Sequence, residues 1–328
     1  CGEGYFIDCK GIHLFDDRKI PVINIVVDHP FYYHKFLPFL PKDYCQISID
    51  REHEAYLQYY FPEIKRGLFL PLAGTSLWED DTLPKWEERP YEVVFTGNYT
   101  PLSKFEPTIE RHGKEYADFY YGIIEDFKKH PHLGMDIGIR EHLLSEVEDI
   151  TEDGVKEMMP NMIMIDLYVR NYFRGKVVQT LVDAGVSVHC FGAGWEFLPC
   201  EHPENLIKEG GVDSLACLQA LSKAKVSLNV MPWFKDGAHD RVFNSMLNGA
   251  VCFTDWSRYL TENLRDGEDI FFYELDALEC LPDMVQGILE NRKKWEHMQK
   301  AAYETAEKSH TWEHRAAAVH KEILSKIR

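Results

Sequence analysis

Short β-branched runs alternate along the chain with stretches whose apolar residues recur every three or four positions, and the alternation starts twice. The first run, IPVINIVV at 20–27, predicts a strand, and DHP at its carboxyl end predicts a loop. A second extended run, YCQISI at 44–49, leads into a helix from Asp50 through Tyr60. Asp50 can cap that helix, although His53 stands where a capping box carries an acid or amide. IKRGLFLPLAG at 64–74 gives a third strand ending at a Pro/Gly turn. Strand, connection, strand, helix, strand is the order of a parallel α/β sheet. Three strands are too few for a complete doubly wound domain, so residues 1–75 read as a partial N-terminal Rossmann-like domain.

Residues 76–90 are acidic and broken by prolines, the composition of an interdomain linker. The α/β rhythm then restarts with YEVVFTGNYT at 91–100. A long helical stretch follows from about 105 to 184, with a break near Pro131 to Gly138. VSVHCFGAGW at 186–195 is a strand and a glycine loop; NLIKEGGV, a helix in DSLACLQALSKA and the strand KVSLNV complete another unit. In HDRVFNSMLNGAVCFTD at 239–255, Val242, Phe243, Met246 and Leu247 follow a helical period, and Ala250 to Thr254 reads as a buried strand. DIFFY and two or three helices close the chain, which places a second α/β domain over residues 91–310.

Four loops of that domain fall at the carboxyl ends of predicted parallel strands: TGNYT, GAGW, MPWFKDGAHDR and TDWSRY. Ligands of open α/β sheets bind along this edge. Gly97, Gly192 and Gly194 allow close backbone approach there, although neither glycine loop is a GxGxxG or Walker pattern. A helix that begins His239-Asp240-Arg241 offers unpaired N–H groups, a partial positive charge and a planar guanidinium, together suited to a diphosphate. The competing reading is that Asp240 only caps the helix and Arg241 pairs with Asp236 or Asp255. Asp28 and His29, just past the first strand, could do acid–base work or bind sugar hydroxyls; Asp-His before Pro30 also makes a good turn. His34 and His53 are expected at the surface.

Composition narrows the partners. The chain has 328 residues, 45% of them hydrophobic, enough for two cores, and 54 acids against 36 Lys and Arg give a net charge of −18. Such a charge repels a nucleic-acid backbone, while a few local donors can still bind a phosphorylated small molecule. The 8 cysteines, at 1, 9, 45, 190, 200, 217, 252 and 280, form no CxxC and no zinc spacing, and several lie in apolar strands. They read as reduced thiols in a reducing cytoplasm. No apolar run approaches the roughly 18 residues of a membrane span. No HExxH or DxD motif calls for a metal, and the absence of GxGxxG with a later ribose-binding acid argues against a Rossmann oxidoreductase. Cys1 in the first position, with so few strands after it, predicts residues upstream.

The ordered set VDHP, LFLPLAG, YEVVFTGNY, VHCFGAGW, VSLNV, HDRVFNSMLNGAVCFTD and LRDGEDIFFY resembles the two-domain nucleotide-sugar glycosyltransferases of the GT-B architecture. More narrowly it is similar to their spore-maturation (CgeB-like) branch, which carries a family-one-like glycosyltransferase domain. The resemblance implies two Rossmann-like domains and a bacterial-type, cytoplasmic, metal-independent enzyme. It would need no cofactor beyond a nucleoside-diphosphate sugar such as a UDP-sugar, and its acceptor would be a glycan, a lipid-linked glycan or a protein. The diphosphate would lie on the helix near Arg241, among Gly97, Asn98, Gly192, Gly194, His239 and Asp240. Two glutamates of related enzymes, with seven residues between them, match Asp236 and Asn244; the neutral Asn244 departs from the pattern. Asp28 or His29 would stand at the acceptor side, and the C-terminal helix at 311–328 would pack back on the first domain. The departure at Asn244 and the short first domain also fit a nucleotide-sugar-binding partner without catalysis.

Overall fold

The computed structural model describes residues 8–9, 12–78 and 82–327; Cys1 and residues 79–81 of the acidic stretch lie outside them. The chain forms β1 (Val22–Val26), β2 (Tyr44–Ser48), α1 (Arg51–Tyr60), β3 (Lys65–Phe69), β4 (Tyr91–Thr96), α2 (Lys114–Lys129), α3 (Met135–Glu146), α4 (Glu152–Met158) and α5 (Ile163–Asp183). It continues with β5 (Val188–Phe191), β6 (Leu206–Gly210), α6 (Ser214–Ser222), β7 (Ala224–Asn229), α7 (Asp240–Leu247), β8 (Val251–Asp255), α8 (Arg258–Asn263) and β9 (Phe271–Tyr273). Three helices end it: α9 (Leu281–Leu289), α10 (Arg292–Ser309) and α11 (Trp312–Ile327). No described helix is long and apolar enough to cross a membrane. Cys45, Cys190 and Cys252 are buried free thiols.

Two units divide these elements. The first takes the chain up to Pro71, then Gly134–Ile163 and the residues from Ala317 onward; the second takes Leu72–Leu133 and Met164–Ala316.

In the first unit β1, β2 and β3 make a three-stranded sheet in that order, all parallel, and every residue of the central β2 is buried. Asp50 caps α1 by accepting from the Glu52 N–H at 2.8 Å, and the helix buries His53, Tyr56, Leu57 and Tyr60, one stripe at three- and four-residue spacing. The expected surface positions of His34 and His53 are therefore corrected: they are 6% and 2% exposed, because each ring packs within a cluster of aromatic side chains. Helices α3 and α4 join this unit although the chain reaches them from the second. Arg140 of α3 pairs with Glu152, and both meet the Tyr59 hydroxyl; the Lys156 ammonium donates to the Tyr60 carbonyl.

The second unit is built on six parallel strands in the order β9-β8-β7-β4-β5-β6. From β4 the chain steps one way through β5 and β6, then returns to add β7, β8 and β9 on the other side. The direction of winding thus reverses between β4 and β7, where a doubly wound sheet opens its ligand crevice. The described part of 76–90 belongs to this unit and is stitched to it. Leu77 N–H donates to the Asn248 side chain at 3.0 Å, and the buried Arg89 guanidinium donates to the carbonyls of Pro84, Leu221, Ala224 and Asn248.

Candidate functional site

Helix α7 begins beside the crevice, and His239 rather than Asp240 is its cap: the imidazole Nδ1 lies 3.2 Å from the Arg241 N–H and 2.7 Å from an Asp240 carboxylate oxygen. Burial lowers the His239 pKa and the Arg241 charge adds to this. Burial works to raise Asp240, but the charge of Arg241, together with the hydrogen bond and charge of His239 when its Nδ1 is protonated and serves the carboxylate in place of the Arg241 N–H, prevails and holds it at about 2.

Arg241 is only 7% exposed. Its Nε donates to Thr96 Oγ1 at 3.1 Å and its Nη1 to Asn229 Oδ1 at 2.7 Å. Thr96 and Asn229 are the last residues of β4 and β7, so the guanidinium bridges the two strands at which winding reverses. Neither acid proposed from sequence neutralises it. Asp236 pairs with Arg258 at 3.3 Å, and Asp255 accepts from the Met231 N–H at 2.8 Å. Among the described residues Arg241 has no carboxylate in contact, and its third nitrogen, Nη2, has no hydrogen-bond partner. The cation also lies 5.1 Å from the centre of the Phe95 ring.

A second arginine, not singled out from sequence, joins it. Arg174 of α5 donates from Nη1 to the Asn98 carbonyl at 3.1 Å, while its buried Nε has no partner. Burial, then the charges of Arg241 and Arg170, lower its pKa to about 9. Arg170 is paired with Asp166. Arg174 and Arg241 therefore approach the Gly97–Asn98 turn with charges that oppose each other, an arrangement that an anion relieves. The available sequence signal was Asp166, Arg170 and Arg174 at four-residue spacing on a largely buried helix.

Glycines shape the turn. Gly97 leaves Arg241 room, since a Cβ there would lie 3.2 Å from Nη2. Gly192 and Gly194 receive neighbouring backbone: added Cβ atoms would fall 2.2 Å from the Gly97 carbonyl oxygen and 1.9 Å from that of Tyr99. Asn98 Oδ1 accepts from the Ala193 N–H at 2.9 Å and locks the two loops together. Asn244 holds the Thr75 N–H on Oδ1 at 2.8 Å and donates to Asp240 at 3.1 Å. Beside these groups opens a cavity of about 270 Å³, lined among others by Asp240, Arg241 and Asn244 and by Cys217, Leu218 and Leu221 of α6.

Asp28 and His29 belong to the first unit. The His29 ring is buried, its Nδ1 accepts from the Phe31 N–H at 3.1 Å, and burial lowers its pKa to about 3. Asp28 is exposed and accepts from the Tyr33 hydroxyl at 3.0 Å.

Among the described residues one group, His132, Glu274 and Asp276, presents side-chain atoms close enough to share a metal ion, all within 4.8 Å. Trp256 Nε1 donates to His132 Nδ1 at 2.9 Å, so in the neutral ring Nε2 carries the proton and faces the carboxylates as a donor. That tautomer offers no lone pair to a cation on that side.

Two units of parallel α/β sheet, one doubly wound with an arginine bridging its switch point, define a fold of the GT-B type. Residues 174–321 match the family described as glycosyl transferase-like. Among solved structures, sucrose-phosphate synthase from Thermosynechococcus elongatus is similar at 11% identity and a TM-score of 0.50, over 94% of this chain and 68% of that one. Anabaena Alr3699/HepE in complex with UDP and glucose is similar at 9% identity and a TM-score of 0.50, over 95% and 73%. Against a chain of the GtfA/B complex, at 11% identity and a TM-score of 0.49, the match takes in 95% of this chain and only 54% of that one, about half its length. No curated protein sequence matches.

Proposed function

We propose that this protein is a glycosyltransferase that moves a hexose from a nucleoside-diphosphate sugar to a hydroxyl acceptor without a metal ion, in the CgeB-like branch of the GT-B enzymes. The observation that carries this reading is Arg241, held by Thr96 and Asn229 across the switch point, free of any carboxylate contact among the described residues and opposed by Arg174. The open Nη2 of Arg241 and the Arg174 guanidinium supply donors for a diphosphate, and the positive end of the α7 dipole adds to them. As the bond from the anomeric carbon to the diphosphate oxygen breaks, negative charge grows on the leaving group. Donors already fixed in place stabilise that charge without reorganising.

Asp240, ionised at neutral pH, suits donor hydroxyls rather than phosphate. In the first unit Asp28 is the better candidate base. Its carboxylate meets solvent, whereas the Nδ1 of His29 is engaged and the ring resists protonation. The acceptor class is a glycan, a lipid-linked glycan or a protein. The UDP and glucose named for the Anabaena protein make UDP-glucose the first donor to try.

One observation favours a second reading, a nucleotide-sugar binder without turnover: both ends of the Asn244 amide are occupied by protein, where related enzymes place an acid. A panel of nucleotide sugars separates the two. Thermal stabilisation together with release of nucleoside diphosphate as the sugar passes to an acceptor or to water supports the enzyme; stabilisation without release supports the binder. If no nucleotide sugar stabilises the protein, or Arg241→Ala leaves stabilisation unchanged, the donor-site reading fails.

A further inference from the structure

The cavity beside Arg241 has two kinds of wall. Polar groups in its lining include Arg241, Asp240 and Asn244, and apolar ones Cys217, Leu218, Leu221 and the indole of Trp312. At about 270 Å³ it is slightly smaller than the roughly 300–1,000 Å³ of a pocket for a whole small ligand, a size suited to one half of a larger one.

An exposed tryptophan alone signifies little. Trp312 differs in being 44% exposed on a backbone that its neighbours pin. His310, two residues earlier, stacks on Phe243 of α7 with centroids 4.3 Å apart and planes 9° from parallel. The His310 carbonyl accepts from the Gly74 N–H at 2.9 Å, and Gly74 bridges to Thr311. Gly74 itself lies so close to α7 that an added Cβ would fall 2.5 Å from the Phe243 carbonyl carbon. The Trp312 backbone is thus fixed relative to the helix whose first residues carry the anion site, and among the described residues no hydrogen bond uses the indole.

We propose that Trp312 is the platform on which the base of the nucleoside diphosphate stacks, in the cavity whose lining it shares with Cys217 and Leu218. The assignment rests on the donor-site reading above and adds the residue that grips the nucleoside. A ligand with its phosphates at Arg241 can lay its base against another part of the same lining, where a broad indole offers a flat apolar face to a planar ring. Stacking accepts any base, since every base has a π face.

The test is a binding series by calorimetry and tryptophan emission, with UDP, GDP, ADP, CDP and inorganic pyrophosphate as probes, on the wild type, Trp312→Ala and Trp312→Phe. The expected result is quenching of wild-type emission by the nucleotides. In Trp312→Ala that quenching is lost and the nucleotide Kd rises about 10-fold or more, while the pyrophosphate Kd stays within about 2-fold. Trp312→Phe keeps most of the affinity and shows that the position tolerates substitution. Wild-type nucleotide affinity in Trp312→Ala, or quenching that persists there, overturns the assignment and leaves the donor site standing. Failure of every nucleotide to bind the wild type overturns both.

Discussion

Arg241 Nη1 and Asn229 Oδ1 meet at 2.7 Å, and Asn229 is in turn fixed by donating to Thr254 Oγ1 at 2.8 Å. The asparagine is fully buried at the end of β7, so the guanidinium rests on a rigid neutral acceptor that leaves its charge uncancelled. A carboxylate there would neutralise the cation; an amide positions it and leaves it able to attract an anion.

This relationship makes Arg241→Lys more than a conservative change. One ammonium on a flexible stem cannot hold Thr96 and Asn229 and also present a fixed donor to phosphate. Steady-state kinetics with the best donor should show kcat falling about 10²-fold in Arg241→Ala, on the scale of one preorganised donor, with Arg241→Lys recovering only part of it. Full activity in Arg241→Lys would show that charge alone suffices.

The Gly192–Trp195 loop should be intolerant for a backbone reason. Gly194 has φ 91° and a Cβ there would lie 1.9 Å from the Tyr99 carbonyl oxygen, so Gly194→Ala should destabilise by more than about 1 kcal/mol. Gly122 in α2 is the control: nothing lies within 4 Å of its added Cβ, so Gly122→Ala should stabilise by about 0.5–1 kcal/mol. Urea unfolding of the two variants should give shifts of opposite sign.

Arg89 presents an interior version of the same side chain. It donates to four carbonyls, and burial lowers its pKa to about 9. Arg89→Met keeps much of the volume and leaves those carbonyls without their donor. A loss of about 3 kcal/mol or more is expected in chemical denaturation.

Acid should weaken the first unit. Burial lowers His29 to about 3 and His34 to about 4, and places His53 well below 6.5. Below pH 6.5 the unfolded chain binds protons that these folded rings refuse, so their effect is to lower stability as pH falls from 6.5 toward 4. Asp136, raised to about 6 by burial, acts in the opposite sense between its ordinary value and pH 6, because its folded form takes up the proton first. Glu54, raised by burial, acts as Asp136 does, while Glu152, lowered by its hydrogen bonds from Arg140 and Tyr59, acts with the rings; three rings and Glu152 against two carboxyls leave acid destabilisation as the net direction. Replacing His29 by Asn should reduce the slope of unfolding free energy against pH by up to about 1.4 kcal/mol per pH unit across that window. Urea titrations at pH 7, 6 and 5 check it.

Much of the fold was legible because the relevant signals are local. Val242, Phe243, Met246 and Leu247 are all buried on α7, and the adjoining β-branched run is the buried β8. The Asp50 cap needed only residues within one helical turn. His34 and His53 were misplaced because a polar residue type says little about a ring enclosed by Phe61, Tyr56 and His29. The residues from Gly134 to Ile163 read as a continuation of the second domain, since a helical period shows that a face is buried without saying which core buries it.

At the candidate site the helix start at His239 and the glycine loops could be noticed from their letters alone. That Arg174 opposes Arg241, that His239 caps in place of Asp240, and that Gly192 and Gly194 admit backbone could not. By itself the sequence determined where strands and helices form and the order in which they alternate, because periodicity, caps and turns act between near neighbours. Only the tertiary structure decided which charges are cancelled and which are left to attract a ligand, because Thr96, Arg174, Asn229 and Arg241 meet only when β4, α5, β7 and α7 have converged on one edge of the sheet.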